Sequence, residues 1–139
     1  MLREATGSPP PVSLAPGFAP QPMTATGLAG GAQLASTLSD GCLGNIPMSP
    51  QHVLSVTAPF PTLTIMVQSH GADTTLVVRM PDGTFRCDDD TDERNPVVRG
   101  PVGPGRVEVY VGAYSTDSTS AAYTVAFTES ASAMPSAIP

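Results

Sequence analysis

Thr62-Leu-Thr-Ile-Met-Val-Gln68 and Arg106-Val-Glu-Val-Tyr-Val111 decide the fold of this chain. In the first stretch Leu63, Ile65 and Val67 fall on one side, and in the second Val107, Val109 and Val111 do the same. An apolar residue at every second position is the pattern of a strand with one buried face, because successive side chains of a strand point to opposite faces. Both stretches therefore read as half-buried antiparallel strands.

Working outward, residues 53–56, 75–80, 84–87 and 122–127 are shorter strand candidates. The intervals carry turn chemistry at Pro59-Phe60-Pro61, His70-Gly71, Pro81-Asp82-Gly83, Gly103-Pro104-Gly105 and Thr116-Asp117-Ser118. Pro81-Asp82-Gly83 is the sharpest of these, since Pro presets φ at one corner and Gly accepts positive φ at another. No window supports a helix. Six or more short strands separated by turns predict an all-β, jelly-roll-like β-sandwich whose two sheets share the inward Leu, Ile, Val, Tyr and Phe side chains.

Composition divides the chain around that pattern. Of 139 residues, 16 are Pro and 13 Gly, and all six basic residues are Arg. Residues 1–39 hold six of the Pro, five of the Gly and two charges, Arg3 and Glu4, so they read as an extended Pro/Gly-rich arm or linker. Residues 130–139 carry no charge and read as a flexible tail. Residues 40–129 contain 16 of the 18 charges and form the expected sandwich domain, large enough for one modest core. A formal net charge of −6 without a basic run argues against nucleic acid and against an anionic membrane surface, which both call for a positive footprint. No stretch reaches the length of a spanning helix, and Met1-Leu-Arg-Glu-Ala-Thr-Gly-Ser-Pro-Pro has no apolar leader core, so the sequence reads as soluble with no visible leader.

Cys42 and Cys87 lack the spacing of a zinc hook. A Cys42–Cys87 disulfide is expected on the logic of small exported domains, with two unpaired core thiols as the alternative. Such a bond closes a loop of about 45 residues and stabilises by roughly 4 kcal/mol on the chain-entropy account. Directly after Cys87, Asp88-Asp89-Asp90-Thr91-Asp92-Glu93 concentrates five of the 12 acids. Hard Ca²⁺ takes six to eight oxygens, so Asp88, Asp90, Asp92 and the Asn95 amide form a candidate cation site. Their spacing imitates the first ligands of an EF-hand and then departs from it, with Glu93 in place of Gly and Arg99 in place of the closing Glu. The alternative is a solvated acidic turn. His52 and His70 sit at a strand start and in a turn. No nucleophile elbow, His-Glu-x-x-His or phosphate loop accompanies them, so no catalytic residue is assigned and the chain is not read as an enzyme. Tyr110 and Tyr114 read as edge packing.

The order Asp73-Thr-Thr-Leu-Val-Val-Arg-Met-Pro-Asp-Gly, Cys87-Asp-Asp-Asp, Asn95-Pro96, Gly105, Val109-Tyr-Val-Gly-Ala-Tyr and Tyr123-Thr-Val-Ala-Phe resembles the bacterial pre-peptidase C-terminal domain over roughly residues 50–129. The resemblance implies a jelly-roll-like sandwich, exported to the periplasm or beyond the cell and appended to secreted peptidases or other surface enzymes without catalysis of its own. It also implies Ca²⁺ and extracellular polymers as ligands, as for the collagen-binding modules of clostridial collagenases. Asp73 and Asp82-Gly83 match positions of the family pattern. Asp88 and Asp89 fall where many relatives read Asn-Asp, while Asp90, Asp92 and Glu93 make this loop more acidic.

Two functions follow. One is a noncatalytic accessory or binding module of an exported bacterial protein, Ca-stabilised, facing a protein or extracellular polymer surface. The other is a structural subunit of an extracellular or particle-like assembly, self-assembling through the N-terminal arm with Leu14, Phe18, Leu28, Leu34 and Leu38 available for docking.

Overall fold

The computed structural model describes residues 9–92, 94–115 and 119–139; the turn expected at Thr116-Asp117-Ser118 lies outside the described residues. The two deciding stretches form β6 (Phe60–Gln68) and β10 (Gly105–Ala113), and they lie at the centres of two different sheets. The other expected strands are β5 (His52–Val56), β7 (Thr74–Arg79), β8 (Phe85–Asp88) and β11 (Ala122–Thr128).

Five further strands lie outside the sequence expectation, the last of them on an edge of the four-stranded sheet. The first four are β1 (Val12–Leu14), β2 (Met23–Leu28), β3 (Gln33–Leu34) and β4 (Asn45–Ile46). The fifth, β9 (Val97–Val102), contains Gly100 and Pro101, and it escapes the sequence pattern because an edge strand tolerates Pro where a central one does not.

In the seven-stranded sheet β10 is central. It pairs with β7 on one side, with β8 beyond, and with β5 and β4 on the other, with β1 beyond β5 and β3 beyond β4. The four-stranded sheet runs β2-β11-β6-β9. Pairing is antiparallel except between β1 and β5, which run parallel. That pair departs from the all-antiparallel expectation, and the long connection between the two strands is what permits it. Leu54, Val56, Leu76, Val78, Val107, Val109 and Val111 of one sheet meet Leu63, Ile65, Val67, Val98, Val125 and Phe127 of the other in one buried core. The fold is thus the expected jelly-roll-like β-sandwich.

The composition break at residue 40 does not fall at a break in the strand pairing. From Pro9 onward the chain is woven into the sandwich: β2 pairs with β11 from Met23↔Phe127 to Leu28↔Ala122, and Leu14, Ala29 and Ala35 are buried. The physical reason is that an edge strand with one half-buried face needs few large apolar residues. Met23 and Ala25 pack against the core while Thr24, Thr26 and Leu28 face out. Gly27 has a steric role, because any Cβ there would strike the Tyr123 hydroxyl. Phe18 meets Phe60 edge to face, with ring centroids 6.0 Å apart.

Residues 130–139 are likewise docked. Ile138 is buried against Met66 and Ala126 on the outer face of the four-stranded sheet, and Gln68 Nε2 donates to the Pro135 carbonyl at 3.0 Å. Arg99 reaches the same segment, donating to the carbonyls of Ala131 and Ala133 and, at 3.0 Å, to Thr64 Oγ1.

Candidate cation-binding loop

β8 runs directly into the acidic loop. Its last paired residue, Asp88, lies opposite Leu76 of β7, and the disulfide joins Cys87 of β8 to Cys42, with Cα atoms 5.6 Å apart. Two backbone bonds, Asp92 N–H to Asn95 O at 3.0 Å and Asn95 N–H to Asp92 O at 2.9 Å, close the loop into a tight turn. The sulfur bridge fixes one end and this turn the other. The segment between them, Asp88 to Thr91, is short enough to crowd its carboxylates.

Among the described residues, Asp88, Asp89 and Asp90 offer carboxylate oxygens that all lie within 4.8 Å of one another. Of the four expected ligands, Asp88 and Asp90 belong to this cluster, and Asp89 joins them. Asp92 and Asn95 are engaged elsewhere. Asp92 Oδ2 accepts from Ser136 N–H at 2.9 Å, and Asn95 Oδ1 accepts from both the backbone N–H and the hydroxyl of Ser69 at 3.1 Å. Asn95 Nδ2 donates to Gln68 Oε1 at 3.1 Å, which also accepts from His70 N–H at 2.9 Å. These two residues brace the loop against the β6–β7 turn and the C-terminal segment. Asp88 Oδ2 has a structural bond of its own, accepting from Val97 N–H at 2.8 Å where β9 begins, and from the Thr91 hydroxyl. Glu93 lies outside the described residues.

The charges in the cluster act on one another. Asp89 is pushed above the usual carboxylate range, first by partial burial and then by the negative charges of Asp90, Asp88 and Asp73. A divalent cation placed among these oxygens would relieve that repulsion. Three carboxylates supply part of the six to eight oxygens that Ca²⁺ takes, and the remainder would have to come from water or main-chain carbonyls. The donor set is hard and all oxygen, so it suits Ca²⁺ better than a thiophilic metal.

The other chemistry-bearing residues sit apart from this loop. His52, expected as a surface or turn residue, instead turns inward, with Nε2 2.7 Å from the Tyr123 hydroxyl. Burial holds His52 below its ordinary pKa and pushes the Tyr123 phenol upward, so the phenol keeps its proton. Glu108 lies between Arg79 and Arg106, at 3.8 Å and 2.8 Å, on the seven-stranded sheet's outer face. Tyr110 is buried there beside Cys42, and Tyr114 is half exposed. Sequence reasoning missed Asp89, whose position between Asp88 and Asp90 was the available signal, and Arg99, an outward residue in a strand the pattern had not shown.

The pre-peptidase C-terminal domain of collagenase from Bacillus anthracis, in its crystal structure, superposes with a TM-score of 0.54 at 13% identity, covering 92% of this chain and 100% of that one. The fold is that of a pre-peptidase C-terminal domain. The alignment spans nearly the whole chain, beyond the stretch from residue 50 that carried the sequence resemblance, in keeping with the place of β1 and β2 inside the sandwich. No protein-family model and no curated protein matches the sequence. No described helix is long and apolar enough to cross a membrane.

Proposed function

We propose that this chain is a noncatalytic accessory module of an exported bacterial protein, stabilised by Ca²⁺ and facing a protein or extracellular polymer surface. The observation that carries the reading is the sandwich itself, shared with a domain of a collagenase, together with the Cys42–Cys87 disulfide. A disulfide in so small a domain fits an oxidising compartment, the periplasm or the cell exterior. Ca²⁺ binds Asp88, Asp89 and Asp90, while Asp92 and Asn95 hold the loop in place. The cation's contribution is to stiffen the junction between β8 and β9, where Asp88 already ties the loop to Val97.

Titration calorimetry of metal-stripped protein with Ca²⁺ tests the cation site, with thermal unfolding as a second readout. The expected result is binding that raises Tm and is lost in Asp89→Asn/Asp90→Asn. No heat and no rise in Tm at about 5 mM Ca²⁺, well above the range of extracellular sites, refutes it.

A second reading, a structural subunit that meets its neighbours through residues 1–39, is favoured by one observation. Part of that segment, β2, forms an edge of the four-stranded sheet.

A further inference from the structure

Each edge of the two sheets can be asked whether it is guarded against pairing with another chain. Unpaired N–H and C=O groups on an edge strand are a template for strand addition. Proteins blunt such edges with charge, Pro, bulges or brevity. β9 is guarded in several ways: it contains Arg99 and Pro101, its register with β6 shifts between Phe60 and Leu63, and the Arg86 guanidinium donates to the Pro101 carbonyl at 2.7 Å. β8 is four residues long, carries Arg86 and Asp88, and is tied by Asp88 to the start of β9. β1 has three residues and follows Pro9-Pro10-Pro11, and β3 has two.

β2 is guarded only at its ends, by Pro22 before it and by the Gln51 side-chain amide donating to the Leu28 carbonyl at 3.2 Å. Met23-Thr-Ala-Thr-Gly-Leu28 is six residues long, uncharged and free of Pro, and pairs with β11 without a shift of register. No charge occurs in the chain from Pro9 through Ser39, and none in β11. Thr24, Thr26 and Leu28 are exposed, Leu28 at 60%. A groove of about 530 Å³ lined by Thr26, Leu28, His70, Ala122 and Thr124 runs alongside.

We propose that β2 is an interaction edge that pairs antiparallel with β2 of a second copy of this chain, joining two four-stranded sheets into one of eight strands. This rests on the assembly reading of residues 1–39 and names its surface. The second copy is the fitting occupant on charge grounds. Two chains of net charge −6 repel one another, and the approach costs least where both surfaces are free of charge. An antiparallel match sets Thr and Ala against like residues across the two-fold axis, and isologous contacts of this kind are the common route to symmetric dimers. The half-buried Met23 and Ala25 lose further solvent exposure, and Leu28 gains a neighbour. One strand pair buries less than the roughly 1,200 Å² of a standard interface, so the association is weak, with a dissociation constant on the order of 100 μM.

Sedimentation equilibrium on the full chain between about 10 μM and 1 mM reads this directly. The expected result is a monomer–dimer equilibrium, with amide exchange in β2 slowing as concentration rises. Thr26→Lys, which puts a charge on the exposed edge, is expected to weaken the dimer at least tenfold. Ser13→Lys, an equally exposed change on β1, leaves it unaltered, and circular dichroism confirms that both variants fold. A wild-type chain that stays monomeric at about 1 mM overturns this inference and the assembly reading together. A dimer that ignores Thr26→Lys, or whose exchange protection falls on β8 or β9, overturns the β2 edge and leaves the assembly reading standing.

Discussion

Each sheet of the sandwich has part of its outer face covered by an irregular segment, and the two covers are fastened by different chemistry. On the seven-stranded sheet, the 3₁₀ turn Ala35–Thr37 and the chain through Leu38 and Cys42 lie over Val77 and Tyr110, anchored by a covalent bond to Cys87. On the four-stranded sheet, residues 130–139 lie over Met66 and Ala126, anchored by the guanidinium of Arg99, by Gln68 and by the buried Ile138. The covalent clamp holds through the unfolded state and fails under reduction. The polar clamp is indifferent to redox but depends on a few side chains, so each cover can be released by a change that leaves the other untouched.

The largest effect is expected at the covalent clamp. Cys42→Ala/Cys87→Ala, or reductant on the wild type, should lower stability by about 4 kcal/mol, because the unfolded chain regains the freedom of the loop between the cysteines. Denaturant unfolding with and without reductant measures this. A midpoint unchanged by reduction of a bond shown by mass to have opened would mean that packing of Leu38 and Tyr110 suffices to hold the cover.

Next comes the polar clamp. Arg99→Met keeps the aliphatic stem but removes the donor to the Ala131 carbonyl and to the part-buried Ala133 carbonyl, and is expected to cost about 1.5–3 kcal/mol, the range for hydrogen bonds to a charged group. Ile138→Ala is expected to cost about 2 kcal/mol, at the low end for large-to-small changes because its cluster is small and peripheral. Limited proteolysis discriminates the mechanism. Both variants should be cleaved within residues 130–139 before the sandwich unfolds, and wild-type protein should not. If neither variant shows early cleavage, the segment is held by something other than Arg99 and Ile138.

The contrast also explains what the sequence could reveal. β6 and β10 were legible because they sit at sheet centres, where alternation must be built from large apolar side chains such as Leu63, Ile65, Val107 and Val109. β2 was not, because an edge strand whose inner positions are Met23, Ala25 and Gly27 satisfies the core with little hydrophobic surface, and Gly27 is there to admit Tyr123. A Gly in a strand reads locally as a turn signal, and the steric reason for it lies in a residue 96 positions away in the chain. The candidate site was half legible. Five acids in six residues mark the loop, but which oxygens converge depends on Ser69 and Ser136, partners that no local pattern points to. The covers are hard to read for a related reason: segments poor in charge and rich in Pro, Ala and Ser resemble free chain until a distant Arg or Cys anchors them.

The smallest effect is expected in the core between the two covers, and it sharpens the comparison because neither clamp takes part. A neutral His52 can donate to or accept from the Tyr123 hydroxyl through Nε2, whereas the imidazolium can only donate, leaving the phenol proton to seek another acceptor in an apolar setting. Burial holds the folded-state pKa of His52 below its ordinary value of 6.5. The neutral form is therefore favoured by folding, so this contribution is present above the unfolded pKa and is lost as pH falls through the lower folded one. Tm should decline on going from about pH 7.5 to about pH 5, and His52→Gln, which keeps a polar group near Nε2 without a proton to gain, should flatten that decline. The lowered pKa of Asp82, set by its bonds from Thr84, acts in the same direction but below its ordinary value of 3.8, outside this window. Asp89, with its pKa raised, has the opposite sign: its contribution is present at low pH and is lost as pH rises through the folded value. Because His52 touches neither cover, the acid-induced loss should be equal in wild type, in Arg99→Met and in the double-cysteine variant, as for independent sites. An acid sensitivity that changes with the clamp would show that the covers and the core form one cooperative unit, and the separation drawn between the two fastenings would have to be given up.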